Sequence, residues 1–87
     1  MSLFAHGTLV QTPGARDTFD AGFLQGALLR HLSGDWGDLD AEDKAANAAA
    51  LRDGERLFSS YRRGALQLYI ITEADRSVTT LLLPSEY

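Results

Sequence analysis

Two groups of side chains in this sequence could do chemistry: a histidine with hydroxyl residues elsewhere in the chain, and a dense run of carboxylates. His31 stands four residues before Asp35, a spacing that lets a carboxylate orient an imidazole as a general base. Ser59 and Ser60 could supply a hydroxyl. No nucleophile elbow or comparable motif brings these groups together. A histidine near the end of a helix is also simply favoured by the negative end of the helix dipole. That second reading accounts for His31, and no catalytic residue is assigned.

The carboxylates are Asp35, Asp38, Asp40, Glu42 and Asp43. Asp38, Asp40 and Glu42 alternate as at the start of a calcium loop, but Asp43 occupies the sixth position, where such a loop needs glycine. Ala49 occupies the twelfth, where it needs a bidentate Glu. With His6 and His31 far apart and no cysteine, a transition-metal site would rest on carboxylates alone. No metal and no cofactor are assigned. Acids at the start of a helix favour its positive end, which explains Asp40, Glu42 and Asp43. It does not explain Asp35 and Asp38, which precede the helix.

The elements that position these groups follow from caps and periodicity. Leu9-Val10-Gln11 is a short edge strand, and Thr12-Pro13-Gly14-Ala15 starts a helix, with Thr12 as cap and Pro13 at the first helical position. Gly22 is expected to interrupt that helix. A second helix runs from Phe23 to Leu32 on the spacing of Phe23, Leu24, Ala27, Leu28, His31 and Leu32, with Gly34 as a left-handed stop. Asp35 to Leu39 is a loop tied down by Trp36, which is expected to pack at least partly into the domain. Asp40 caps an alanine-rich helix over Ala41–Arg52, with Asp43 approximating a capping box and Gly54 as the stop.

Leu57–Tyr61, Leu66–Thr72 and Val78–Leu83 are then β-rich runs, separated by Arg62-Arg63-Gly64 and Glu73–Arg76 turns short enough for hairpins. The order predicts an α+β fold: a short N-terminal strand, two to three helices, then a three-stranded antiparallel meander with helices on one face. Leu66, Leu68 and Ile70 are expected beneath the helices, and Gln67, Tyr69 and Ile71 on the other face. Both faces are partly apolar. The second is covered either by the N-terminal strand and C-terminal tail or by a partner, a homodimer included.

Composition narrows the function classes. The 87 residues predict one domain, residues 1–87, and 45% hydrophobic content is that of a folded chain. Of 12 acids, five lie between Asp35 and Asp43, leaving seven against eight bases elsewhere. The net charge of −4 is therefore one local patch. Phosphate backbones are bound by Lys and Arg, so direct nucleic-acid binding is disfavoured. The start MSLFAHGTLVQ has no basic segment followed by a long apolar run, and no stretch approaches a membrane span. With no cysteine, the expectation is a cytoplasmic protein without membrane contact.

Several segments carry a resemblance: His31-Leu32-Ser33-Gly34-Asp35-Trp36-Gly37-Asp38, Asp40-Ala41-Glu42-Asp43-Lys44-Ala45-Ala46-Asn47, Gly54 to Tyr61, and Ile71 to Thr80 with Leu83-Pro84-Ser85-Glu86-Tyr87. Together they resemble a family of small bacterial proteins labelled plasmid-related or hypothetical, some with a restriction-subunit label. The likeness covers nearly the whole chain, and this sequence looks shortened or altered between Thr18 and Gln25, where relatives have a longer polar linker. The resemblance implies carriage on plasmids, integrated elements and phages. It implies no activity, and no catalytic residue is carried over from it.

The expectation is a non-enzymatic protein-binding module of a mobile element, an inhibitor of host defence such as restriction or CRISPR. Its acidic surface would meet a basic, nucleic-acid-binding host protein. The expected contact residues are Asp35, Trp36, Asp38, Glu42 and Tyr69. Two alternatives share the sequence pattern: a ribosome-dependent RNase toxin of the RelE/ParE type, which has a similar order of elements but a basic charge, and a structural homodimer.

Overall fold

The computed structural model describes residues 2–87 and has the expected α+β fold. Strand β1 (Thr8–Gln11) is followed by α1 (Pro13–Thr18), α2 (Ala21–Leu32) and α3 (Ala41–Asp53). The meander β2 (Leu57–Arg63), β3 (Leu66–Thr72) and β4 (Val78–Leu82) comes next, with a 3₁₀ turn at Pro84–Glu86. The meander is antiparallel, and β1 joins it at the far edge, parallel to β4, giving the order β1-β4-β3-β2. No helix among the described residues is long and apolar enough to cross a membrane.

Local signals set most boundaries. The Thr12 hydroxyl accepts from the Ala15 amide, and Asp40 Oδ1 accepts from the Asp43 amide at 2.8 Å. Each satisfies one of the amides a helix start leaves free. Gly54 ends α3 in the left-handed conformation.

The break between α1 and α2 is not at Gly22. It falls at Phe19-Asp20, because Asp20 Oδ1 accepts from the Phe23 amide at 2.8 Å and starts a new helix there, which leaves Gly22 inside the first turn of α2. Arg62 and Arg63 likewise belong to β2, paired with Gln67 and Leu66; the reversal is made by Gly64-Ala65 alone, with Gly64 at φ 61°. The β3–β4 turn contains Arg76 at φ 62°, an uncommon conformation for a residue with a Cβ. It is held by its own guanidinium, which donates to the Glu55, Glu73, Ala74 and Ala50 carbonyls and so also closes the C-terminal end of α3.

All three helices lie on one face of the sheet. Ala15, Phe19, Leu24 and Ala27 of the α1–α2 segment bury Tyr61, Leu68, Ile70 and Leu81, while Trp36, Ala50 and Leu57 form a second cluster under α3. Leu66 departs from expectation: it shares that face but sits next to the turn, beyond the reach of the helices, and stays 48% exposed. The opposite face carries no helix. Its Phe58, Tyr69 and Tyr87 rings meet at 4.7–6.3 Å, with Tyr87 brought in by the C-terminal turn. The C-terminal tail therefore covers part of this face, whereas β1 extends the sheet edge and does not cover the face.

Candidate functional site

The acidic segment joins α2 to α3 along the outer edge of β2. Six of its positions, 35 to 40, lie outside any helix, yet the backbone is fixed at several points. The Ser60 amide donates to the Trp36 carbonyl at 3.2 Å, and the Asp38 amide donates to the Ser60 carbonyl at 2.7 Å, so the segment runs for one residue as an extra strand. Gly37 sits at the centre of this bridge at φ 76°, and a Cβ there would collide with the Ser60 carbonyl oxygen. The Tyr61 hydroxyl donates to the Asp35 carbonyl at 2.7 Å, and burial pushes that phenol well above its ordinary pKa.

Trp36 anchors the loop from inside. It is 7% exposed, stacks on Phe4 at 6.4 Å and meets the edge of His31 at 5.7 Å. A partner could reach little of it, so Trp36 holds the loop in place rather than acting as a contact group.

The five acids have different roles. Asp35 accepts from Arg30 Nε at 2.7 Å and Nη2 at 3.2 Å, and also from the Gly37 amide. The Arg30 guanidinium holds the Asp35 carboxyl below its usual range, and the two charges offset each other at the surface. Asp40 is used as the cap of α3. Asp38, Glu42 and Asp43 are exposed on the loop and on the first turn of α3. Tyr69 is placed elsewhere, half-buried on the helix-free face, so the structure does not bring it together with the acidic segment.

His31 does not engage Asp35. Its ring is fully buried and bonds Ser59 Oγ through Nδ1 and Thr72 Oγ1 through Nε2 at 2.9 Å. Thr72 Oγ1 lies 2.7 Å from Thr79 Oγ1, which bonds the His6 carbonyl at 2.8 Å. Counting protons fixes the direction of this chain. A carbonyl only accepts, so the Thr79 proton goes to His6, and the Thr72 proton must then go to Thr79. The Thr72 oxygen is left to accept from Nε2–H. The chain places a proton on Nε2, and with the ring neutral Nδ1 accepts from Ser59. Burial, with a smaller contribution from Arg76, pushes its pKa down to about 4.

The Ser59–His31 contact has the form of a nucleophile and its base, but His31, Ser59, Thr72 and Thr79 are each 0% exposed. A substrate has no route to them in this conformation, and the network satisfies polar groups inside the core.

The role of Asn47 is visible only in the structure. Its side chain reaches from α3 to β2, where Nδ2 donates to the Phe58 carbonyl and Oδ1 accepts from the Phe58 amide at 3.1 Å. A side-chain amide thus occupies the place of a neighbouring strand. Together with residues 36–38 it closes the outer edge of β2 over Phe58 and Ser60. An Asn in an alanine-rich helix, 11 residues before its partner, carries no local cue to this contact. No set of His, Asp and Glu among the described residues is arranged to hold a metal ion. No family model matches this chain, and neither a curated protein nor a solved structure matches it.

Proposed function

We propose that this chain is a protein-binding module without a catalytic role, carried by a mobile element and directed at a basic surface of a host defence protein. One observation carries the reading: the segment presenting Asp38, which leads into the first turn of α3 with Glu42, is irregular in backbone but held by a strand bridge, a buried tryptophan and a tyrosine hydroxyl. A surface loop held this firmly is preorganised, and preorganisation lowers the ordering cost of binding. Its outward groups are carboxylates, which steer a cationic partner.

The charge distribution elsewhere supports a protein partner over a nucleic acid. Arg16, Arg30, Arg52, Arg56 and Arg63 each stand within 4.0 Å of a carboxylate, and Arg76 is used on backbone carbonyls. Beyond these, Lys44 and Arg62 are exposed, and two separate cations are few for a phosphate backbone, which also counts against the RNase-toxin alternative. The homodimer alternative draws on a separate observation, the Phe58–Tyr69–Tyr87 group on the helix-free face.

The test is affinity capture from bacterial lysate with two baits, the wild-type chain and an Asp38→Lys/Glu42→Lys variant, each read by quantitative mass spectrometry. Asp35 and Asp40 are left intact because they hold the loop and cap α3. A basic protein enriched by the wild type and lost from the variant supports the reading. Equal capture by both baits contradicts it.

A further inference from the structure

The C-terminal turn, Pro84–Glu86 with Tyr87, lies against the domain without being buried in it. None of the residues of the turn is buried, and Tyr87 is 70% exposed although its ring meets those of Phe58 and Tyr69. Little apolar area is removed from water there, so the hydrophobic effect holds the turn weakly. Segments with few buried contacts and exposed hydrogen bonds are the first to open in a folded protein.

One side chain fastens the turn to the rest of the domain. Glu86 Oε1 accepts from the Thr12 hydroxyl at 2.5 Å and from the Leu83 amide at 2.9 Å, and Oε2 accepts from the Gly14 amide at 3.1 Å. The Thr12 hydroxyl, with the two amides, holds the Glu86 carboxyl below its usual range. Two of these three bonds cross from the C-terminal turn to the start of α1. The other ties are weaker. The Glu86 and Tyr87 amides donate to Leu83 and Pro84, within the turn itself. The Arg56 guanidinium stands 5.8 Å over the Tyr87 ring, but its charge is shared with Glu73 at 3.4 Å.

Gly14 makes the attachment possible. A Cβ at this position would lie 2.5–2.8 Å from the carboxyl atoms of Glu86. The backbone of Gly14 is helical and does not itself call for glycine, which weakens a helix relative to alanine. What the missing side chain admits is the Glu86 carboxylate.

We infer that the C-terminal turn is a latch with Glu86 as its catch on α1, and that it opens as a unit, uncovering Phe58 and Tyr69 while the sheet and helices stay folded. Closed, it withholds the aromatic part of the helix-free face from a partner; open, it presents that surface. The latch does not depend on the acidic loop, and the two can stand or fall separately.

Two variants of the full chain test it. Glu86→Ala removes the catch. Gly14→Ala leaves every residue of the turn in place and displaces the carboxylate with one methyl group, in a helix that alanine suits better than glycine. Both are followed by nuclear Overhauser contacts between the Tyr87 and Tyr69 rings and by amide hydrogen exchange. In both variants the ring contacts should vanish while the Ile70–Leu81 contacts between β3 and β4 remain. The Leu83 amide should exchange about tenfold faster or more, the scale of a hydrogen bond to a charged group. In the wild type that amide should exchange faster than those of Leu68 and Ile70, and without dependence on low urea, because a local opening exposes little surface. Survival of the Tyr87–Tyr69 contacts in either variant overturns the inference. So does a wild-type Leu83 amide that exchanges only together with Leu68 and Ile70, since the turn would then open only when the whole domain unfolds.

Discussion

Acidification from pH 7 to pH 5 should destabilise this protein through His31, and the size of the effect can be worked out from its site. The folded ring is neutral, with a pKa of about 4 against 6.5 when unfolded. Between those values the unfolded chain binds a proton that the folded chain rejects. Stability is therefore fully present above about pH 6.5 and falls as the pH drops toward 4. At pH 5 the unfolded state gains a factor of about 30 over the folded one, or about 2 kcal/mol at 1.36 kcal/mol per tenfold. That is a large share of the roughly 5–10 kcal/mol expected for a small domain. The window from pH 7 to 5 lies above the range in which ordinary carboxylates titrate, and the His31→Gln control assigns the change to His31. Urea unfolding followed by fluorescence of the single, buried Trp36 measures it. The control is His31→Gln, whose amide can accept from Ser59 and donate to Thr72 without titrating, and its profile should be flat. A wild-type midpoint that does not fall between pH 7 and 5, or a His31→Gln variant that keeps the wild-type slope, would refute the buried-neutral account.

Two further outcomes follow from the packing. Trp36→Ala should cost about 3 kcal/mol or more in urea unfolding, because it empties the space between Phe4, His31 and Leu57 and frees the acidic loop. Asn47→Ala should cost about 2 kcal/mol for two lost hydrogen bonds. It should also uncover the β2 edge, so sedimentation velocity should show stronger concentration-dependent self-association than the wild type shows.

The parts of this structure that were legible in the sequence are those decided locally. Thr12-Pro13, Asp40 and Gly54 mark helix ends because a cap needs only the next few amides, and each is found where its neighbours place it. The alternation from Leu66 to Thr72 shows the strand and its two faces. Gly22 misled because a glycine weakens a helix only modestly, whereas the Asp20 carboxylate beside it starts one. Arg62-Arg63 misled because charged residues are as acceptable at the exposed end of a strand as in a turn, and the left-handed Gly64 alone carries the reversal. The acidic segment was legible as charge, but not the division within it, since Asp35 is matched by Arg30, five residues away. The His31–Ser59 and Asn47–Phe58 contacts span 28 and 11 residues and depend on how α2 and α3 dock on the sheet. The parallel pairing of β1 with β4 is a similar case, a contact across about 70 residues with no local cue.

The central claim is that Asp38, on a rigid loop, and Glu42, on the first turn of α3, draw a basic partner. The most direct test is the association rate of the captured partner with the wild-type chain across a salt series. Exposed charges are screened over about 8 Å at physiological ionic strength and about 3 Å at 1 M. The rate should therefore fall steeply as salt rises, and the Asp38→Lys/Glu42→Lys variant, with its fold intact by urea unfolding, should start slower at low salt and lose that dependence. A wild-type rate that stays flat across the series, matched by the variant, would contradict the account and leave the helix-free face around Tyr69 as the surface to examine.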